Sequence, residues 1–352
     1  MNIQVTTKVL DDPRWHPLLD VVVSILQQPE SRHAFDTSQY RRVEKSAWLS
    51  GASGIRASTA EFIRSSARAA SRDVPSDAVT LVIDDSAPQS GETIADRAIR
   101  IHPFGALTIL MQPLHLIVED EISDGAFVLW MARLLGRDSI IRSYRSGRLL
   151  FRHAGGKGQF ARSASALTFG VWPKVNQPIL SRRLRAIALL DSDARFPGDE
   201  PNAQYVEEVE PHVAFVHMLK ARCIESYVPR YYAWRRLESD GGASSVDAYF
   251  RMTDSQRCHF PIRVGFRDGA TPPHPQDHAT FLADTNREPA ERDHFRSVDP
   301  ADWARFAGGF GRSLAAVFRE PGYRCEPNEP GHLTEKQRTE LNSFLTKVIQ
   351  YL

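Results

Sequence analysis

The sequence predicts an α/β fold built on a parallel sheet, and three observations predict it. Short apolar runs of strand length alternate with segments of helical period through the middle of the chain. Two of those runs, Leu114–Val118 and Leu184–Leu190, break off on clusters of carboxylates. A glycine turn, Gly155-Gly156-Lys157-Gly158, stands between the two runs. The 352 residues suffice for one large domain or two to three ordinary ones. They divide into an N-terminal α+β region over 1–112, a parallel-sheet Rossmannoid core over 113–230 and a mainly helical region over 231–352.

Residues 1–75 read as mainly helical, with an apolar run at Leu18–Leu26 and Ser58-Thr59 placed to cap a helix reaching about Arg72. Val79–Asp84 is a β-branched strand followed by a Pro, Ser and Gly loop over 86–91; Ile99–Ile101 and Leu107–Met111 are further strand candidates. After the strand at Leu114–Val118, Ser123 or Asp124 is placed to cap a helix. Phe127, Trp130, Met131, Leu134 and Leu135 make one face of it, and it closes near Gly136. Ser139–Tyr144 is read as a second strand and Leu184–Leu190 as a third. Ala203–Leu219 is read as helix, and residues 265–300, rich in Pro, Asp, His and Arg, as a loop or insertion. Asp302–Phe318 and Thr334–Leu352 are read as helices, the second opening on a capping box from Thr334 to Gln337. No internal repeat is legible.

Hydrophobic residues at 42% and charged residues at 25% give an ordinary globular composition with ample core, and a net charge of +1 selects no partner. Cys223, Cys258 and Cys325 lack zinc-site spacing and read as reduced thiols. No basic start followed by an apolar run marks a signal peptide, and no run approaches the ~20 apolar residues of a membrane span. The expectation is a cytoplasmic protein with no membrane association.

The chemistry lies in the acids at strand ends. Ligands of parallel sheets bind outside the carboxyl ends of the strands. The first run ends in Glu119-Asp120-Glu121 with Asp124 following; the second ends in Asp191-Ser192-Asp193. In extended chain, residues two apart share a face, so Asp191 and Asp193 are expected to converge. Carboxylates meeting at one point repel unless a cation lies between them. Mg²⁺ (or Mn²⁺) takes such oxygen ligands, and it can clamp a phosphodiester and activate water. Against this stands the common role of a lone strand-end acid as a helix cap or solvated loop residue.

A basic stretch separates the two acid clusters. Between Arg133 and Arg185 there are twelve Lys or Arg and one acid, Asp138, an excess suited to phosphates or to an acidic protein surface. Arg145, Arg148, Arg152, Lys157 and Arg162 are the candidate phosphate contacts in it. The Gly155–Gly158 turn can bring backbone N–H groups to an anion, with Lys157 adding charge. It is not a Walker A loop, so any ATP used must be bound by another chain.

The order of motifs resembles the TOPRIM domain of topoisomerases, primases and the OLD-family (overcoming lysogenization defect) nucleases. Val118-Glu119-Asp120-Glu121-Ile122-Ser123-Asp124 resembles the OLD-type V-E-G-x-x-D pattern. Lys220-Ala221-Arg222-Cys223-Ile224-Glu225-Ser226-Tyr227-Val228-Pro229 is similar to a K-x-R-x-I-E-N-Y-x-P element that follows the D-x-D there. The likeness covers about Leu114–Arg230. It implies a TOPRIM-like core and metal-dependent cleavage of DNA or RNA. Glu119 is then a metal ligand or general acid/base, Asp191 and Asp193 are metal ligands, and Asp124 and Glu225 complete a second metal site. Lys157 is catalytic and Arg222 joins the nucleic-acid contacts. It also implies an effector of antiphage defence working beside a separate ATPase subunit, and leaves homo-oligomerisation open. Asp120 departs from the family's Gly, which makes Glu121 a rival to Glu119, and Ser226 replaces the usual Asn.

Two other readings compete. A non-catalytic TOPRIM-fold module could serve only as a docking partner of an ATPase. A receiver-like phosphoacceptor domain also places acids after its first strand, though Asp191 follows Glu119 by 72 positions, long for a compact receiver. The pairs His274/His278 and His212/His217 read as surface or core histidines. Tyr227, Tyr231, Tyr232 and Trp234 read as core, with base stacking as the functional alternative.

Overall fold

The computed structural model describes residues 1–28, 33–36, 40–50, 57–65, 79–89, 92–95, 98–169, 180–238, 242–268, 270–271, 273–311, 314–320 and 333–352. The protein is α/β, with one mixed sheet, one all-parallel sheet and a mainly helical C-terminal region. The first sheet holds β1 (Asn2–Val5), β2 (Ala34–Phe35), β3 (Thr80–Ile83), β4 (Glu92–Ala95) and β5 (Ala98–Ile101) in the order β2-β1-β3-β5-β4. Among the described residues of this sheet only β4 runs antiparallel, at the edge beside β5. β1 and β2 lie in a stretch expected to be mainly helical: four residues of β1, Asn-Ile-Gln-Val, are too short to stand out beside the eleven-residue helix α1 (His16–Leu26). A helix does cover 57–65, and its expected continuation to Arg72 lies outside the described residues. Leu107–Met111, expected as strand, is instead the end of helix α2 (Pro103–Met111). Pro103 sits at its first position and the His102 ring accepts from the N–H of Phe104, a start signal that outweighs the apolar run.

The second sheet is parallel throughout: β6 (Leu114–Val118), β7 (Leu149–His153), β8 (Ala186–Leu190) and β9 (Phe215–Met218), ordered β7-β6-β8-β9. Its two faces are covered by separate cores, as the period-2 alternation of a strand requires. Leu116, Val118, Ile187 and Leu189 pack with Phe127 and Met131 of helix α3 (Ser123–Leu134). Ile117, Ala186, Ala188 and Leu190 pack with Phe160 and Ala164 of helix α5 (Phe160–Phe169) and Val209 of α6 (Ala203–Val209). Ser139–Tyr144 is a helix rather than a strand, α4 (Asp138–Arg145), which buries Ile140 and Ser143 one turn apart. The real neighbour of β6 is β7; as an edge strand with a half-polar Leu-Leu-Phe-Arg-His sequence it lacks the continuous apolar run. The helix expected over Ala203–Leu219 stops at Val209, before Pro211, and the chain returns to the sheet as β9.

The stretch 265–300 is not an open loop. Short helices at His278–Ala283 and Pro289–Phe295 pack Phe266, Phe281, Phe295 and Trp303 into an aromatic core, with Phe266 and Trp303 stacked at 4.5 Å. Helices of six and seven residues, each with its own N-terminal start, are too short for periodicity to show. His278 belongs to this core, bonded to the Phe295 carbonyl at 3.1 Å and packed on Trp303. The helix expected over Asp302–Phe318 is Pro300–Phe306 followed, beyond a glycine-rich break, by a 3₁₀ turn at Leu314–Phe318. The last helix, Glu335–Tyr351, begins on the expected capping box between Thr334 and Gln337. Among the described residues no helix is long and apolar enough to cross a membrane. Cys223 and Cys258 are free thiols, and Cys325 lies outside the described residues.

Candidate active site

The strand order decides where a ligand site can form. From β6 the chain moves to β7 on one side, then crosses back over β6 to β8 on the other. The reversal point therefore lies between β6 and β8, where crossovers diverge and leave a crevice at the carboxyl ends. Glu119 follows β6 and Asp191 follows β8, so the two strand-end acids flank that crevice.

A cleft of about 230 Å³ opens there, lined by Glu119, Asp120, Ser123, Asp124, Asp191 and Glu225 with Arg263, Ala315 and Arg319. Glu119 is half-buried on its wall. Glu121, its rival, is exposed and faces a neighbouring depression instead. Asp124 lies in the first turn of α3, and neither it nor Ser123 caps the helix from outside. Its buried carboxylate accepts from the N–H of Asp120 at 2.9 Å, which fixes the Glu119–Asp124 loop.

Glu225 reaches the cleft through the Lys220–Pro229 element, whose anchoring explains its composition. The Tyr227 hydroxyl donates to buried Glu340 of the last helix at 2.8 Å, and the Lys220 N–H donates to the same carboxylate at 2.8 Å. Gln337 donates to the Ser226 carbonyl at 3.0 Å. On the sheet side, Ser192 Oγ donates to the Ala221 carbonyl and the Asp193 N–H to the Arg222 carbonyl, both at 3.0 Å. The element is thus clamped between the Asp191–Asp193 loop and the last helix. Glu225 itself is 1% exposed and paired with Arg263; its other oxygen, Oε2, is buried and meets no hydrogen-bond geometry among the described residues.

Electrostatics mark the cleft as a place of crowded negative charge. Burial, then the charges of Glu119 and Asp120, push Asp124 up to about 6. Asp191 keeps some surface towards the cleft, yet protein atoms surround its carboxyl so closely that burial, then Asp124 and Glu225, hold it well above the carboxylate range. The attraction of Lys157 and Arg263 does not offset this. Burial opposes the Arg263 charge, but Glu225 outweighs it and keeps the guanidinium protonated. Cys223 is driven the other way from a nucleophile: burial and the neighbouring Glu225 and Asp191 raise its thiol far above the usual range.

Asp193 does not join Asp191. The expected convergence requires extended backbone, but Asp193 adopts φ +54°, which turns its side chain out of the cleft lining. It pairs instead with Lys157 and accepts from Asn202 Nδ2 at 3.2 Å. The glycine turn makes the Lys157 pairing feasible: Gly155 and Gly156 take φ of +84° and +103°, and Lys157 then reaches past the end of β6 to the Asp193 loop.

The basic stretch scatters. Arg145 and Arg162 are exposed, on α4 and on α5 across the sheet from it. Arg152 donates to Ser163 Oγ at 3.2 Å and Arg148 to the Leu352 carbonyl at 3.2 Å. Arg222 is half-buried against the His259 carbonyl, and burial lowers its pKa. Arg185 is 2% exposed, bonded to the Gln112 and Tyr351 carbonyls, and so stands inside the core. Lys174 lies outside the described residues. Tyr227 and Tyr232 are buried, while Tyr231 is 56% exposed.

Arg263 and Arg319 escaped sequence reasoning, being 38 and 94 positions beyond Glu225 with no local motif. Arg263 is placed by a tight turn: Gly265 adopts φ +67°, and a Cβ there would meet the Ala307 carbonyl at 2.0 Å. His153, exposed at the end of β7 near Asp120, was also missed. Among the described residues, no three His, Cys, Asp or Glu side chains converge into a ready-made metal cage. No protein-family model matches the chain, and neither a curated protein nor a solved structure resembles it at a significant level.

Proposed function

We propose that the chain is a divalent-metal-dependent nuclease with a TOPRIM-like core, which cleaves phosphodiester bonds at the β6/β8 cleft. One observation carries this reading. Four carboxylates from three segments, Glu119 and Asp124 after β6, Asp191 after β8 and Glu225, line a single cleft at the strand reversal. The donor set fits Mg²⁺ or Mn²⁺, since it offers oxygen only. Among the described residues the buried Glu225 Oε2 accepts no hydrogen bond, and Asp191 bears the cost of crowded like charge. Mg²⁺ usually keeps several waters and takes one or two carboxylates plus substrate phosphate, so an all-protein cage is not required. Asp191 and Glu225 would hold the ion, with Asp124 beside them, which leaves Glu119 as the base.

Once bound, the metal would polarise the phosphodiester and lower the pKa of a water. Glu119, half-buried on the cleft wall, accepts the proton of the attacking water. Arg263 and Arg319 face the charge that builds on the non-bridging oxygens. Lys157, held by Asp193, adds positive potential beside Asp191. Water adds to phosphorus, the P–O bond to the leaving sugar oxygen breaks, and that oxygen takes a proton from solvent. The test is a panel of plasmid, linear DNA and tRNA incubated with Mg²⁺ or Mn²⁺. Wild type is expected to cleave at least one of them, and Glu119→Ala and Asp191→Ala to lose cleavage by more than about 100-fold. Equal activity in wild type and Glu119→Ala ends the assignment.

The phosphoacceptor reading keeps one point in its favour: Asp191 follows the third strand of the parallel sheet, where a receiver carries its acceptor. Against it, Glu225 adds a fourth acid beside that position. Labelling of Asp191 by acetyl phosphate supports that reading, and failure to label removes it.

A further inference from the structure

Two depressions beside the acid cleft form one groove. They measure about 500 and 590 Å³ and share Ile122, Ala126, Leu129 and Tyr144, so a single floor runs between α3 and α4. The larger part also includes Arg319, which lines the acid cleft, so groove and cleft are continuous. The floor is apolar and open: Ile122 is 61%, Tyr144 44% and Leu150 38% exposed. Its rim is mixed. Arg133, Arg145 and Arg319 stand along it, and so do Glu121, Asp138 and Glu320.

From this the geometry points to single-stranded nucleic acid as the occupant, with unpaired bases on the apolar floor and the phosphates on the three arginines, leading the strand into the cleft. The purpose of the groove rests on the nuclease reading. The chemistry favours a single strand over a duplex for two reasons. An apolar floor with an exposed tyrosine ring rewards base faces, and a duplex hides those faces in its stack. Acids among the arginines leave the rim without a continuous positive track for the two phosphate rows of a duplex, whereas one strand can place its phosphates at Arg133, Arg145 and Arg319 and keep clear of the acids. Tyr144 is the residue on which a base stacks.

The experiment reads binding, not cleavage. Fluorescence anisotropy in EDTA compares a labelled oligothymidylate with a hairpin duplex, on the full chain. Wild type is expected to prefer the single strand. Tyr144→Ala should weaken that binding about tenfold, the loss of one base–aromatic stack, and Tyr144→Phe should restore it. Arg145→Gln should flatten the salt dependence by about 0.7 in log–log slope. Tyr144 and Arg145 are exposed, so unchanged melting curves certify that the variants fold. Equal or tighter duplex binding, no binding to either probe, or unchanged affinity in both Tyr144→Ala and Arg145→Gln overturns the inference. The last outcome returns the groove to a protein partner. A chain that binds through Tyr144 but never cleaves refutes the nuclease reading alone, and one that cleaves through Glu119 with an indifferent groove refutes this inference alone.

Discussion

Asp124 and Asp191 show how two carboxyls of ordinary sequence context acquire unusual chemistry. Asp124 is pushed up to about 6 because it is buried beside Glu119 and Asp120. In the unfolded chain it ionises near the usual ~3.9. Between those values the folded state holds a proton that the unfolded state has released, so stability falls as pH rises through about 4 to 6. For Asp124 alone the loss is about 3 kcal/mol, and Asp191 extends the same trend upward. A divalent ion that binds the ionised cluster counters this loss. Without divalent ions the melting temperature is therefore expected to drop from pH 5 to pH 8, and millimolar Mg²⁺ to raise it more at pH 8 than at pH 5. A metal effect of the same size at both pH values would show that the acids do not hold the ion. At this scale the sequence exposed the acidic clusters but could not choose within them. The choice of Glu119 over Glu121 followed from which side chain the loop turns inward, and the parting of Asp191 from Asp193 from a single left-handed φ.

Among elements, the Lys220–Pro229 segment is the one whose residues are most fully accounted for. Its tyrosine, its glutamate and its leading lysine N–H each have a defined place, and Glu340 receives two of the three. Glu340→Ala leaves a buried tyrosine hydroxyl and a backbone N–H without their acceptor, at a cost of about 3 kcal/mol. Urea unfolding should read that loss. It should read a smaller one for Glu340→Gln, whose amide oxygen can still accept from one of the two donors. The segment's unusual composition was legible in the sequence, but its support was not, because Glu340 lies 113 positions beyond Tyr227. The missed elements are mostly short, although the eight-residue α4 and the nine-residue α2 read as strands in the sequence. Elements of four to seven residues, such as β1, β9 and the helices at 278–283 and 289–295, are shorter than the window over which periodicity accumulates.

Over the whole molecule, the two sheets share a plan. The parallel strands of each run in the order second, first, third, fourth: β2-β1-β3-β5 and β7-β6-β8-β9. No sequence repeat announces this, since strand order is set by which edge each returning strand finds. One apolar core runs from Ile3 and Leu19 through Leu116 and Phe127 to Leu341, Phe344 and Val348. Arg185, bonded to Gln112 before β6 and to Tyr351 at the end of the last helix, is buried at the same junction. Residues 113–230 expressed alone would expose that core and strip Arg185 of its acceptors. The fragment is therefore expected to show no cooperative thermal transition by circular dichroism, whereas the full chain shows one. A sharp transition in the fragment would show that the core acts as separate parts.

By itself the sequence determined the class of fold, the parallel strands that end on acids, the glycine turn with Lys157 and the Glu225 element, because these are encoded in contiguous residues. Only the tertiary structure decided which acids meet, which basic residues stay on the surface and that Arg263 and Arg319 stand in the cleft. Those outcomes depend on strand order and on contacts between residues far apart in the chain, and local composition carries no trace of either.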